Sequence, residues 1–149
     1  PPPPANIYVA AMDPGFKQYQ RQIILNAQVL AEGLIKNGLR LVSGGTDTHL
    51  VLVDLRPFKL TGKVAETVLD EVGITINKNT IPFDPEKPSI SSGIRIGTPA
   101  LTTRGMKEPE MKMIADLIAK ALKGYTDERI KNEVAAAVAE LSSQHPLYE

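Results

Sequence analysis

Between Phe16 and Asn37 the apolar residues Phe16, Tyr19, Ile23, Ala27, Leu30 and Leu34 recur at three- and four-residue steps. That spacing lines one face of an α-helix. Asp13 followed by Pro14 reads as an N-cap with proline in the first turn. Asn37-Gly38 reads as the stop, because glycine accepts the left-handed conformation found just past a helix end. The predicted helix, about 14–37, is roughly 35 Å long. In a chain of 149 residues an element of that length is a spine for its domain or a bridge to another. Ile24 and Leu25 fall outside the main stripe and point to a second covered face.

The remaining segments are shorter. Leu39–Val42 and Thr48–Leu55 are rich in apolar and β-branched residues and are separated by Ser43-Gly44-Gly45-Thr46-Asp47, which predicts a hairpin. Pro57 ends the second strand, and Thr61 caps a short helix to about Val72 with Val64, Ala65, Val68, Leu69 and Val72 on its buried side. Gly73 closes it. Ile74-Thr75-Ile76 is predicted as a strand leading into Asn77-Lys78-Asn79-Thr80. A surface loop punctuated by Pro82, Pro85 and Pro88 follows. Gly93–Gly97 is the next strand, ended by Thr98-Pro99. Two helices finish the chain, one carrying Met113, Ile114, Leu117, Ile118 and Leu122 to Gly124, the other Ile130, Val134, Ala137, Val138 and Leu141. The expected fold is α/β, with a small, mostly antiparallel sheet and helices packed on one face.

Composition narrows the function. Seventeen basic and seventeen acidic residues balance to a net charge of zero, unlike the basic excess of a nucleic-acid binder. There is no cysteine, which removes disulfides, thiolate metal sites and cysteine nucleophiles. The two histidines, His49 and His145, lie far apart, so no metal centre is expected. No apolar run approaches the roughly 20 residues of a membrane span, and the expected setting is cytoplasmic. Pro1–Pro4 can only be extended, and residues 1–10 read as an added or cut edge rather than native structure.

Ser92–Pro99 is the segment most suited to chemistry. Side chains alternate along a strand, so Ile94 and Ile96 share one face while Gly93, Arg95 and Gly97 share the other. Glycine weakens a strand unless something approaches the backbone closely. A guanidinium between two glycines can grip a planar carboxylate with paired hydrogen bonds; a salt bridge to a neighbouring loop is the alternative. The asparagines of Asn77-Lys78-Asn79 could pair with an amide-like heterocycle edge, although their spacing favours a turn role. Lys78 could be solvated or could touch an anion. Ser43-Gly44-Gly45-Thr46 precedes a strand rather than a helix, so it is turn chemistry and not a phosphate cradle. No general base is paired with a nucleophile, and no lysine stands in a context that marks a Schiff-base former.

Several of these runs together resemble the serine hydroxymethyltransferase family. They are Leu41–Asp47, His49-Leu50, Val53-Asp54-Leu55, Leu60-Thr61-Gly62-Lys63, Ile76-Asn77-Lys78-Asn79, Ser92–Ala100 and Thr103-Arg104-Gly105. The resemblance covers residues 11–149 and corresponds to that enzyme's C-terminal small domain, of the aspartate-aminotransferase-like architecture called fold type I. It implies an enzyme dependent on pyridoxal phosphate that interconverts serine plus tetrahydrofolate with glycine plus methylenetetrahydrofolate, and that forms homodimers or tetramers. It implies that Arg95 holds the amino-acid carboxylate, that Asn79 contacts the folate pterin, and that Arg104 supports the carboxylate site. It further implies that a missing large domain holds the cofactor and the Schiff-base lysine, so this chain carries no catalytic residue of its own and is expected to be inactive alone.

The sequence departs from the family at Thr48, where asparagine is usual, and before Met12, where the match is poor. Two other readings stay open: the small domain of another enzyme of the same fold, such as an aminotransferase, and a free-standing binding module. An aminotransferase needs no folate contact, so Asn77-Lys78-Asn79 argues against the first. A module should lack the sticky face that a domain parted from its partner would show.

Overall fold

A computed structural model describes residues 14–42 and 49–145. The long helix is present as α1, Pro14–Lys36. It ends in a Schellman motif, with Gly38 at φ 89°, the Gly38 amide donating to the Ile35 carbonyl and the Leu39 amide to the Leu34 carbonyl. Strand β1, Arg40–Leu41, pairs antiparallel with β2, Leu50–Asp54. The Asp13 cap and the Ser43–Asp47 turn lie outside the described residues.

After a 3-10 turn at Arg56–Phe58 comes α2, Gly62–Glu71, capped by Thr61, whose side chain accepts from the Val64 amide. Strand β3 is Asn77–Asn79 and β4 is Gly93–Gly97. Then follow α3, Pro99–Thr103, α4, Glu108–Lys123, and α5, Glu128–Gln144. The strands form one open antiparallel sheet in the order β1-β2-β4-β3. Val51, Val53, Ile94 and Ile96 bury one sheet face in a single core with Ala27, Leu30 and Leu34 of α1, Ala65 and Leu69 of α2, and Met111, Ile118 and Leu122 of α4. The α/β fold with helices on one face of a small antiparallel sheet is therefore observed.

Three local expectations are corrected. Ile74–Ile76 is not a strand. The Gly73 and Ile74 amides turn back to the Asp70 and Leu69 carbonyls, so this stretch closes α2, and sheet pairing begins at Asn77. Val64 and Met113 are exposed rather than buried. Each stands one residue off the stripe that its helix turns inward, which runs through Ala65, Val68 and Leu69 in α2 and Met111, Ile114 and Ile118 in α4. Finally, α3, a helix that apolar periodicity does not predict, follows directly on Thr98.

Polar contacts explain α3. Thr98 Oγ1 donates to the Ile23 carbonyl, and Thr102 Oγ1 donates to the Thr98 carbonyl. Fully buried Asn26 donates to Thr102 Oγ1 and to the Met106 carbonyl while accepting from Gln22 Nε2. Tyr19 and Thr103 share a further hydroxyl contact at 2.7 Å. Buried polar groups are tolerated when each has a partner, and among the described residues no buried side-chain polar atom lacks one.

Candidate functional site

The sheet face turned away from the helices carries the candidate residues. In β4, Ile94 and Ile96 are buried and Arg95 is exposed, as strand alternation requires. Arg95 stands opposite Leu52 on one side and Asn77 on the other, and Asn79 stands opposite Gly93. Arg95, Asn77 and Asn79 thus share one face across the β3–β4 pair. The asparagines, expected in a turn, are strand residues.

Glycines 93 and 97 have different causes. A Cβ at Gly93 would lie 2.7 Å from the Val53 carbonyl oxygen and 3.0 Å from that of Asn79, so the protein's own backbone fills the space there. At Gly97 the nearest atom would be Leu50 Cδ2 at 3.5 Å. Gly97 is exposed, and a Cβ there would make only ordinary van der Waals contacts, so nothing in the fold demands glycine at that position.

Charge around these residues is unevenly satisfied. Asp54 is engaged by Arg56 at 2.9 Å and by Arg40 at 3.6 Å. The hydrogen bond from the Arg56 side chain holds the Asp54 carboxyl below its ordinary range, against the opposing effect of burial. Arg95 has no acidic partner among the described residues. Lys78, by contrast, is taken: its amide donates to Glu66 Oε2 at 2.8 Å and its ammonium lies 3.5 Å from Glu66 Oε1. Asn79 donates through Nδ2 to the Thr80 carbonyl, and its Oδ1 has no partner among the described residues. Arg104 caps α3 and is half-buried, bordering a groove with Gly97, Thr75, Ile76, Ala100 and Ser142. Arg95 is not among the residues that line this groove.

Sequence reasoning missed Asp84. Its Oδ2 accepts from the Ile81 and Ser92 amides at 3.1 and 2.9 Å, and its Oδ1 accepts from Ser92 Oγ and the Glu86 amide at 2.7 and 2.8 Å. The bond to Glu86, two residues on, is an Asx-turn, and an aspartate between Pro82 and Pro85 is the signal that could have revealed it. Burial opposes its ionisation, but the hydroxyl and amide donors outweigh that and bring the carboxyl from an ordinary 3.8 to about 2. A depressed carboxyl contributes stability that is present above its unfolded-state value and lost as pH falls through its folded one. The chain should therefore lose stability more steeply between pH 3.8 and 2 than an Asp84→Asn variant does. Denaturant titrations at stepped pH read this directly, and parallel curves would refute it.

No described lysine is buried, and the two half-buried ones, Lys78 and Lys131, are paired with Glu66 and Glu71. A lysine used for Schiff-base chemistry is set in a desolvated or cationic pocket, so these residues do not fit the role of holding pyridoxal phosphate. Among the described residues no helix is long and apolar enough to cross a membrane.

Comparison with known proteins gives the family. The model of the serine hydroxymethyltransferase family matches residues 5–118, a match that starts inside the first ten residues. A curated serine hydroxymethyltransferase of Myxococcus xanthus (strain DK1622) is 61% identical over 138 residues, which is 93% of this chain and 33% of that protein. The chain thus spans about a third of the length of the relative it matches. On both counts it belongs to the serine hydroxymethyltransferase family.

Proposed function

We propose that residues 11–149 are the C-terminal small domain of an enzyme that interconverts serine plus tetrahydrofolate with glycine plus methylenetetrahydrofolate. In this reading Arg95 takes the amino-acid carboxylate, Asn79 takes the pterin edge of the folate, and Arg104 supports the carboxylate end. The observation that carries it is the exposed guanidinium of Arg95, without an acidic partner among the described residues, on one sheet face with Asn79. An unpaired, exposed guanidinium suits a planar anion, because its fork matches both carboxylate oxygens. The Oδ1 of Asn79, without a partner among the described residues, can accept from a ring N–H or amine while the rest of its amide donates. The family implies pyridoxal phosphate, which residues outside this chain would hold, so the chain alone is inactive.

Asn79 separates this reading from an aminotransferase-like one, which has no folate to recognise. In the complete enzyme Asn79→Ala should raise the Michaelis constant for tetrahydrofolate about tenfold or more, the consequence of leaving polar edges unpaired, and should change that for serine less than about twofold. An unchanged folate constant would remove the folate contact and return the aminotransferase-like alternative.

A further inference from the structure

Strand β3 ends at Asn79 and β4 begins at Gly93, so the two proposed binding residues are joined by the proline-punctuated loop between them. One side chain closes the neck of that loop. Asp84 Oδ2 accepts from the amide of Ile81, two residues after Asn79, and from the amide of Ser92, immediately before Gly93. Its Oδ1 holds the Ser92 hydroxyl and the Glu86 amide.

The other side of the same segment is also fixed. The Leu55 amide donates to the Ser92 carbonyl, the Gly62 amide to the Ser91 carbonyl and the Lys63 amide to the Ile90 carbonyl, each at 2.9 Å. Ser92 is thus gripped through its amide and hydroxyl by Asp84 and through its carbonyl by Leu55. Phe83 and Ser91 adopt left-handed φ of 54° and 60°, conformations that persist only where the surroundings over-determine them. The loop adds only Ile81 to the buried apolar residues, so its order rests chiefly on hydrogen bonds.

From this geometry we infer that Asp84 is a positioning residue that sets the spacing of Asn79 from Arg95 by tying Ile81 to Ser92. The inference rests on the binding roles proposed above for those two residues. Asp84 touches neither substrate; it acts through the backbone on each side. In Asp84→Asn an amide replaces one carboxylate oxygen and presents donors to donors, which opens the neck while leaving the β2–β4 core unchanged.

The test is steady-state kinetics of the complete, cofactor-loaded enzyme carrying Asp84→Asn, with circular dichroism and cofactor absorbance as controls. A positioning role raises the Michaelis constants for serine and for tetrahydrofolate together, by about fivefold or more, with the cofactor-loaded fraction unchanged. A merely structural role lowers the active fraction and leaves both constants alone, which would overturn the inference. Placed on Asn79→Ala, the Asp84→Asn change should add little to the folate constant, because groups acting as a unit are non-additive; full additivity would overturn it. If Asp84→Asn does not fold, Ser92→Ala decides. That change removes only the hydroxyl contact at 2.7 Å, and unchanged constants there would refute the inference. Arg95→Lys and Asn79→Ala run beside these as references. If they raise the constants and the Asp84 and Ser92 variants do not, Asp84 alone is misassigned. If none of them moves either constant, the binding roles themselves are wrong, and the inference falls with them.

Discussion

Gly62→Ala should destabilise the chain by about 3 kcal/mol, within the range for overpacking a filled site, and lower its melting temperature by roughly 5–10 °C. Gly62 opens α2 where that helix meets the lead-in to β4. A Cβ there would fall inside contact distance of the Gly93 carbonyl oxygen, with Lys78 Cβ at 3.0 Å and the Ile90 carbonyl oxygen at 3.2 Å. Two of these neighbours are backbone, so no rotamer change relieves the clash. The helix must move away, which stretches the bonds from the Gly62 and Lys63 amides to the Ser91 and Ile90 carbonyls. The gain in helix propensity on replacing glycine by alanine is about 1 kcal/mol and does not offset this. Gly38→Ala is the control. Its φ is +89° but a Cβ would meet nothing within 4 Å, so the cost there is the left-handed backbone alone, about 1–2 kcal/mol. Thermal unfolding of both variants checks the argument. A Gly62→Ala melting temperature within about 2 °C of the parent would sink it.

The contrast shows which parts of the fold could be read from sequence. Both glycines are visible in the sequence, but only the fold tells that one turns a corner and the other makes room for a neighbouring strand. The long helix and strands β2 and β4 were legible because apolar periodicity is set by burial, and burial is what these elements share. The errors at Val64 and Met113 are single-residue rotations of a helix face; a neighbouring apolar residue blurs a stripe without moving the helix. Strand β3 was illegible for a different reason. Asparagine and lysine have little intrinsic preference for strands, and Asn77–Asn79 is a strand because β4 offers an unpaired edge in register. Helix α3 was hidden because it is seated by Thr98, Thr102 and Asn26 rather than by an apolar stripe. Arg95 was legible as an exposed residue from alternation alone. Its freedom from an acidic partner among the described residues, and the assignment of Asp54 to Arg40 and Arg56 instead, became visible only with the strands side by side.

That freedom sets the second large effect. In the complete enzyme Arg95→Ala should cut kcat/KM for serine by at least a hundredfold. A paired guanidinium–carboxylate contact comprises two charge-assisted hydrogen bonds of about 1.5–3 kcal/mol each. Fixing the carboxylate also orients the rest of the amino acid, so turnover should fall along with affinity. Arg95→Lys keeps the charge but loses the fork and should recover only part of the loss. Stability offers a clean control, because Arg95 is exposed and has no acidic partner among the described residues. Its removal should leave the melting temperature within about 1 °C, as for other surface substitutions. The decisive comparison uses a substrate amine without a carboxylate. The parent enzyme should handle it poorly and Arg95→Ala about equally poorly, because neither makes the contact. Equal proportional losses on serine and on the carboxylate-free amine would mean that the arginine supports the fold of the site rather than gripping the substrate. A loss confined to serine places the guanidinium on the carboxylate.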